Sequence, residues 1–210
     1  MQTLKILLSW FLIAGGSCFF FSGIHEFWGS RLSQERASES WKSASMREAI
    51  ERDGEIIRPG SKSRRVIPAG EAFARLSIPR LHAVLYVVEG TDSADLRRGP
   101  GHFEGSALPG SSGNCVIAGH RDTHFRLLKH VRQGDKIEIE TAAGAFTYRV
   151  SGISVVAPAN TASLRPTGQP VLNLITCYPF YFAGPAPQRF VVHAALMTSR
   201  LSSREFSPTP

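Results

Sequence analysis

The strongest constraint on the fold is a series of short apolar runs that fills the chain from residue 69 onward. Each run is rich in Val, Ile, Phe or Tyr, and most are bounded by Gly, Pro, Asn or Asp, which is typical of strands separated by turns. Many short strands in one segment predict an all-β sandwich or a closed barrel. We favour a small closed barrel, because closure leaves no exposed sheet edge. The runs read AFARLSIP, HAVLYVVEG, NCVIAGH, KIEIET, FTYRVSGISVVAP, PVLNLITCY and RFVVHAALM.

Two of these runs indicate how their faces are covered. Residues 136–140, KIEIE, alternate strictly between polar and apolar, as a half-buried strand does. Residues 171–177, VLNLITC, are largely apolar on both alternating faces, which predicts a strand covered on both sides. The clearest helical pattern lies in residues 123–131, THFRLLKHV, and a turn is expected at residues 93–99, SADLRRG.

An uncharged apolar segment stands near the N-terminus. Ile6–Ile24 comprises nineteen residues without a charge, and an α-helix needs about 20 to cross a hydrocarbon core. A cleaved signal peptide would have a shorter apolar region that ends at small residues, whereas Phe19, Phe20 and Phe21 are bulky. Lys5 favours a cytoplasmic N-terminus. We expect residues 1–30 to be a single-pass anchor in the inner (cytoplasmic) membrane, with the rest of the chain periplasmic or extracellular.

The polar segment between this anchor and the strands has no wide apolar stripe. Residues 31–58 mix both charge signs, which predicts a solvated helix that ends near Gly54. The next residues, RPGSKSRR, are typical of a flexible linker. We therefore divide the chain into an anchor (1–30), a stalk and linker (31–68), a β-barrel domain (69–198) and a polar tail (199–210).

Charge and cysteine content narrow the class of function. The formal net charge is +7, which suits anionic lipid, an acidic wall polymer or nucleic acid. Basic and acidic residues are interleaved rather than clustered, so we expect no nucleic-acid partner. The three cysteines cannot all pair within one chain, and no CxxC spacing indicates a redox pair or a zinc knuckle. We expect Cys18 to be an inert part of the anchor and Cys115 to be structural.

Three residues at the ends of apolar runs could perform acyl-transfer chemistry. His120 follows CVIAG, Cys177 ends VLNLIT, and Arg189 opens RFVVHAALM. A thiolate can attack an acyl carbon, and an imidazole can protonate the leaving amine. A guanidinium can stabilise the oxyanion without titrating. Each residue also has a purely structural interpretation. A free Cys is most often a small buried hydrophobe, His120 could simply cap the end of a strand, and Arg189 could be a surface charge beside a Pro-rich loop.

The segment CVIAGHRDTH also offers Cys115 with two histidines, His120 and His124. A tetrahedral zinc site needs four protein ligands, or three and a water. No second cluster of ligands appears in the sequence, so we expect no metal.

With these motifs the chain resembles the sortases, transpeptidases that join proteins to cell-wall or pilin acceptors. Their nucleophile lies in a TLxTC-type motif, here Leu174–Cys177 after Asn173, where the family commonly has Thr first. Their histidine lies in a GHR-like context, here Gly119–Arg121, and their arginine opens the last strand, here Arg189. The resemblance covers residues 72–197. The YPF that follows Cys177 is similar to the sortases of Gram-negative bacteria.

The resemblance implies an eight-stranded β-barrel with short helices. It implies a substrate protein with an LPxTG-like C-terminal sorting signal, a thioacyl-enzyme at Cys177, and an amine acceptor on the cell envelope or on another protein. Thr176 and Tyr178, which flank the nucleophile, are the predicted substrate-binding residues. Some sortases order the loop before the cysteine strand with calcium. Here that loop, Ala157–Gln169, contains no carboxylate, so we expect neither calcium dependence nor a cofactor.

Two other functions remain open at this stage. One is a cysteine peptidase or hydrolase of the cell envelope, although papain-like enzymes place Cys before His in the chain, and this chain has the reverse order. The other is a non-catalytic β-barrel binding module tethered to the membrane. A Cys177 that does not react with alkylating agents would favour the binding module.

Overall fold

The structure is a computed structural model that describes residues 10, 16–17, 32–46, 67–182 and 184–201. Apart from residues 10 and 16–17, the predicted anchor at Ile6–Ile24 lies outside this range. Among the described residues, no helix has the length and apolar character needed to span a membrane. Cys18 also lies outside the described residues, as do residues 47–66, the end of the predicted stalk and the linker.

The predicted closed barrel of eight strands is confirmed within the described residues. Its strands are hydrogen-bonded in the order β1-β2-β3-β4-β7-β8-β6-β5, and β5 closes back onto β1. Most neighbours are antiparallel, but β2 with β3 and β4 with β7 are parallel. The strands are β1 (Ala72–Ile78), β2 (Ala83–Glu89), β3 (Gly101–His102), β4 (Asn114–Gly119), β5 (Lys136–Thr141), β6 (Gly144–Val156), β7 (Val171–Tyr178) and β8 (Gln188–Leu201).

The barrel interior is filled by the inward side chains of these strands. As its alternation predicts, β5 buries Ile137 and Ile139 completely. In β7 the inward series contains Leu172 and Leu174, which are also fully buried in the core. Because strand side chains alternate, Cys177 belongs to the opposite, outward series of β7.

Helical segments are short, and two differ from the sequence prediction. The predicted helix at residues 123–131 is a 3-10 helix, His124–His130, and its Phe125 and Leu128 are fully buried in the core. The expected turn at residues 93–99 is an α-helix, Ser93–Arg98, capped by the Asp92 carboxylate, which accepts from two backbone N–H groups. Further 3-10 helices are Pro79–Leu81 and Ala162–Leu164.

The described part of the predicted stalk, helix α1 (residues 32–46), is not free of the barrel. Its Gln34 accepts from the backbone N–H of Tyr86 (2.8 Å) and donates to the Tyr86 carbonyl (3.2 Å). Ala37 is 7% exposed and packs against Ala72 and Val88. The expectation of a fully solvated stalk is therefore wrong here, because one amide side chain forms hydrogen bonds with backbone groups of β2.

Strand β8 continues past the predicted barrel boundary at residue 198. Its last residues pair with the start of β6, with Leu201 opposite Gly144 and Arg200 opposite Ala145. Polar side chains there did not prevent strand pairing, because backbone groups make the hydrogen bonds.

Residues 157–170, which we call the strap, cross the outer surface of β4 and β7 between the end of β6 and the start of β7. Two buried amides hold it there. Asn114 Nδ2 donates to the carbonyls of Ser163 (2.7 Å) and Arg165 (3.0 Å). Asn173 Nδ2 donates to the Ser163 carbonyl (3.1 Å) and to Asn114 Oδ1 (2.7 Å). His193 Nδ1 donates to Asn173 Oδ1 at 2.7 Å.

This polar network is satisfied at its other end by Ser154, whose hydroxyl lies 2.8 Å from His193 Nε2. Burial lowers the pKa of His193, which favours the neutral ring that can accept from this hydroxyl. Buried polar groups of this kind stabilise a fold only while every partner is present.

Replacing Asn173 by Ala is expected to lower the free energy of unfolding by about 1–3 kcal/mol, because Asn114 Oδ1 and His193 Nδ1 then lose a buried partner. Urea unfolding of the parent and the variant measures the change. Asn160→Ala in the exposed part of the strap is the matched control and should cost less. Equal losses for the two variants would mean that the buried network adds nothing.

Candidate active site

The parallel pairing of β4 with β7 places His120 beside Cys177. The two strands run in register from Asn114 opposite Val171 to Gly119 opposite Thr176, and paired strands lie about 5 Å apart. His120 and Cys177 are the next residues along each strand. The structure therefore brings two of the predicted residues to the same end of the barrel, with His120 exposed and Cys177 half-buried.

The glycine before His120 is required by the packing beneath it. A Cβ at Gly119 would stand 2.7 Å from a ring carbon of Phe125, which is fully buried. The chain after His120 turns directly into the 3-10 helix, since the Phe125 N–H donates to the His120 carbonyl at 3.0 Å. The GH pair of the sequence motif thus has a steric reason: a larger residue at 119 would displace the helix that follows His120.

Arg189 lies opposite Cys177 on the neighbouring antiparallel strand. Directly opposed side chains share one face of the sheet, with Cβ atoms about 5 Å apart. Arg189 Nη1 donates to the carbonyls of Gln188 (3.0 Å) and Ala186 (3.3 Å). Among the described residues, none accepts from its Nη2 or Nε. The guanidinium is therefore anchored by one nitrogen and keeps donors available beside the thiol.

The two predicted substrate-binding residues do not share the outward face of Cys177. Thr176 points into the barrel, is 2% exposed, and donates to the Gly119 carbonyl at 2.6 Å. Its observed contact fastens β7 to β4 at the point where the ladder ends. Tyr178 stacks on Phe190 with ring centroids 6.1 Å apart and meets Phe180 edge-on at 5.9 Å. Phe180 and Phe190 of this aromatic group pack against the barrel core.

His124 lies close to the site but is buried at 5% exposure. Burial lowers its pKa, and the nearby His120 adds to the lowering, against a hydrogen bond to the backbone of Arg97. Across the described part of the chain, no three His, Cys, Asp or Glu side chains are arranged to hold a metal ion.

A second constellation of polar groups lies on the loop after β3. His102 Nδ1 lies 2.8 Å from Glu89 Oε2, and Ser106 Oγ lies 2.9 Å from His102 Nε2. Ser106 Oγ also accepts from the backbone N–H of Val116 (3.2 Å). The backbone N–H groups of Ser106 and Ala107 already donate within the barrel, so neither can bind an oxyanion. This group fastens a loop to β2 and β4.

Sequence reasoning missed several residues that organise the site. Asn173 stood out only as an amide inside an apolar run, and its partners Asn114 and His193 are distant in sequence. Arg121 was visible as the third residue of the GHR motif, but nothing in the sequence showed what its side chain binds.

Comparison with known proteins identifies the family of this fold. The sortase domain family matches residues 76–197. Sortase D of Bacillus subtilis (strain 168) is 37% identical over 130 residues, 61% of this chain and 66% of that protein. Sortase SrtE1 of Streptomyces coelicolor is 32% identical over 164 residues, 69% of this chain and 46% of that protein. The chain thus spans between about half and two thirds of the length of these two relatives.

Solved structures give the same result. The Clostridium perfringens sortase D5 transpeptidase superposes with a TM-score of 0.62 at 25% identity, over 81% of this chain and 99% of that one. The chain therefore belongs to the sortase family, whose members are cysteine transpeptidases. No comparison tests the predicted likeness to the sortases of Gram-negative bacteria, which stays a prediction.

The two described thiols should differ sharply towards iodoacetamide. Burial raises the pKa of Cys115 from an ordinary 9.0 to about 12, which lowers its thiolate fraction about a thousandfold. Cys115 is also 1% exposed, whereas Cys177 is half-buried. We expect peptide mapping of the native chain to show Cys177 alkylated and Cys115 unmodified, and both modified in concentrated urea. Preferential modification of Cys115 would mean that the two thiols have exchanged roles.

Proposed function

We propose that this chain is a membrane-anchored cysteine transpeptidase that cleaves an LPxTG-like C-terminal sorting signal and transfers the acyl group to an amine. The observation that carries the proposal is the meeting of Cys177, Arg189 and His120 at one end of the barrel. Membership of the sortase family supports the same chemistry. The acceptor amine lies on the cell envelope or on another protein.

In the first half-reaction, the Cys177 thiolate attacks the carbonyl carbon of an amide bond in the sorting signal. The developing oxyanion is stabilised by Arg189, whose Nη2 and Nε face no acceptor among the described residues. The carbon–nitrogen bond then breaks, and His120 as imidazolium donates the proton that the leaving amine needs. The product is a thioester between the substrate and Cys177.

In the second half-reaction, an amine attacks the thioester carbonyl carbon. His120, now neutral, accepts the proton that the amine loses, and the Cys177 thiolate leaves. One amide bond is thereby exchanged for another, and the enzyme returns to its starting protonation state. Water in place of the amine would give hydrolysis, the alternative that the sequence left open.

The membrane anchor is part of the proposal and rests on the sequence. Ile6–Ile24 is uncharged and long enough to span a bilayer as a helix. An anchor at the N-terminus would hold the barrel at the outer or periplasmic surface of the cytoplasmic membrane, where sorting signals emerge. The substrate-binding roles of Thr176 and Tyr178 also remain proposals, and for Thr176 the role would act through the backbone, since its hydroxyl is occupied.

The central test is the covalent intermediate. We expect incubation of the chain with LPxTG-like peptides to give a mass adduct on Cys177, and added amine to convert it into a new amide. Cys177→Ala should abolish both products, whereas Cys115→Ala should retain most activity. Hydrolysed peptide without aminolysis would favour the peptidase alternative, and no adduct with any sorting peptide would contradict the proposed function.

The oxyanion role of Arg189 is tested by two substitutions. Losing one oxyanion donor typically lowers kcat about 10²–10³-fold. Arg189→Ala should show a fall of this size, and Arg189→Lys should also be costly because Lys lacks the planar fork. Arg200→Ala, at the far end of the same strand, is the matched control. If both Arg189 variants stay within a few-fold of the parent at an unchanged Tm, the oxyanion must be bound by other donors.

A further inference from the structure

The loop formed by residues 178–188 joins the strand that carries Cys177 to the strand that carries Arg189. Much of it is exposed, with Tyr181 at 71% and Phe182 at 47%. Backbone pairing between β4 and β7 stops at Gly119 and Thr176. The sheet therefore does not tie this loop to the chain that follows His120, and side chains have to set their separation.

Arg121 makes that connection with a single guanidinium. Its Nη1 donates to the carbonyl of Pro179 at 3.2 Å. Its Nη2 donates to the carbonyls of Phe182 (2.8 Å) and Gly184 (3.0 Å). The guanidinium carbon also lies 5.7 Å from the centre of the Phe182 ring. Three charge-assisted hydrogen bonds to one loop are strong and directional.

Two further cations on the adjacent 3-10 helix hold the tip of the same loop. Arg126 and Lys129 lie 5.8 Å and 4.8 Å from the centre of the Tyr181 ring. The Lys129 ammonium also donates to the Tyr181 hydroxyl, and this hydrogen bond lowers the pKa of Tyr181, with Arg126 adding to it. Arg121, Arg126 and Lys129 thus contact the loop from the segment within nine residues after His120, while Arg189 contacts the loop from its own strand.

We propose that Arg121 is a positioning residue that clamps the 178–188 loop to the segment after His120. The clamp holds the end of β7, with Cys177, and the start of β8, with Arg189, at a fixed separation from His120. The inference rests on the proposed function, because it assigns a role to Arg121 in the same acyl transfer. Arg121 acts through the backbone carbonyls of the loop, to which its guanidinium donates.

The residue type follows from the geometry. A planar guanidinium can reach three carbonyls from two nitrogens, whereas a lysine presents one compact ammonium group. Arg121→Lys should therefore keep the charge and lose most of the clamp, and Arg121→Ala should lose both.

The first measurement tests whether Arg121 holds the loop, and it does not depend on catalytic turnover. Hydrogen exchange in the native chain should be at least about tenfold faster in Arg121→Ala for the amides that close the loop, at the paired ends of β7 and β8, since a segment that opens more readily exchanges faster. Amides in the barrel core should be unchanged. The matched control is Arg75→Ala, which removes an arginine that also binds an acceptor, Glu140 at 3.1 Å, but on β1 and β5 across the barrel. The control should leave the loop's exchange unchanged.

The second measurement reads the chemistry. A displacement of about 1 Å at a catalytic group can cost about 10²-fold in rate. Arg121→Ala should lower kcat by about this factor while KM and Tm change little, and Arg121→Lys should be intermediate. Arg75→Ala should match the parent.

Several outcomes would overturn the inference. Exchange of the loop at the parent rate in Arg121→Ala would show that the clamp does not hold it. Faster exchange with kcat near the parent value would show that the clamp does not position the reacting groups. A fall in kcat matched by a fall in Tm would assign Arg121 to folding. If the parent forms no adduct with any sorting peptide, the proposed function fails, and the exchange result still decides whether Arg121 holds the loop.

Discussion

The parallel hydrogen bonds between β4 and β7 are the interaction on which the site depends. These strands are far apart in sequence, yet their parallel direction makes both carboxyl-side ends meet at one end of the barrel, where His120 and Cys177 follow. Their register is set by the core, since Ile117 and Leu174 are both fully buried. A slip of β7 by one residue would turn Leu174 out of the core and Cys177 into it.

Arg189, the third residue, is positioned by antiparallel strand pairing. β8 returns antiparallel to β7, so its first residues stand beside the last residues of β7, and Arg189 falls opposite Cys177. β6 pairs with β8 from the other side, with Val156 opposite Arg189. The rigid part of the site thus consists of strand ends, and the loops between them are fastened by individual polar side chains such as Asn173 and Arg121.

How much of this could be predicted from sequence follows from the range of each interaction. Alternation and turn residues are local, so seven of the eight strands and the burial of Ile137 and Ile139 were predicted, whereas the two-residue strand β3 carries no such pattern. The roles of Asn173 and Arg121 depend on partners brought together only by folding. Gln34 was read as part of a solvated helix because no pattern marks a side chain that binds the backbone of a distant strand. Alternation placed Thr176 on one face with Leu172 and Leu174, but which face is inward, and the hydrogen bond to Gly119, became apparent only from the folded barrel.

The two faces of strand β7 have different roles in the structure. The inward row, Leu172, Leu174 and Thr176, is buried against the core or against β4. The outward row includes Ile175 and Cys177, which are partly exposed. Ile175 lies on the same face as Cys177, so a change at Ile175 alters the surface beside the thiol and leaves the inward row of side chains unchanged. The surface beside Cys177 can therefore diverge during evolution by exchange of alternate residues of one strand, while the residues between them keep the fold intact.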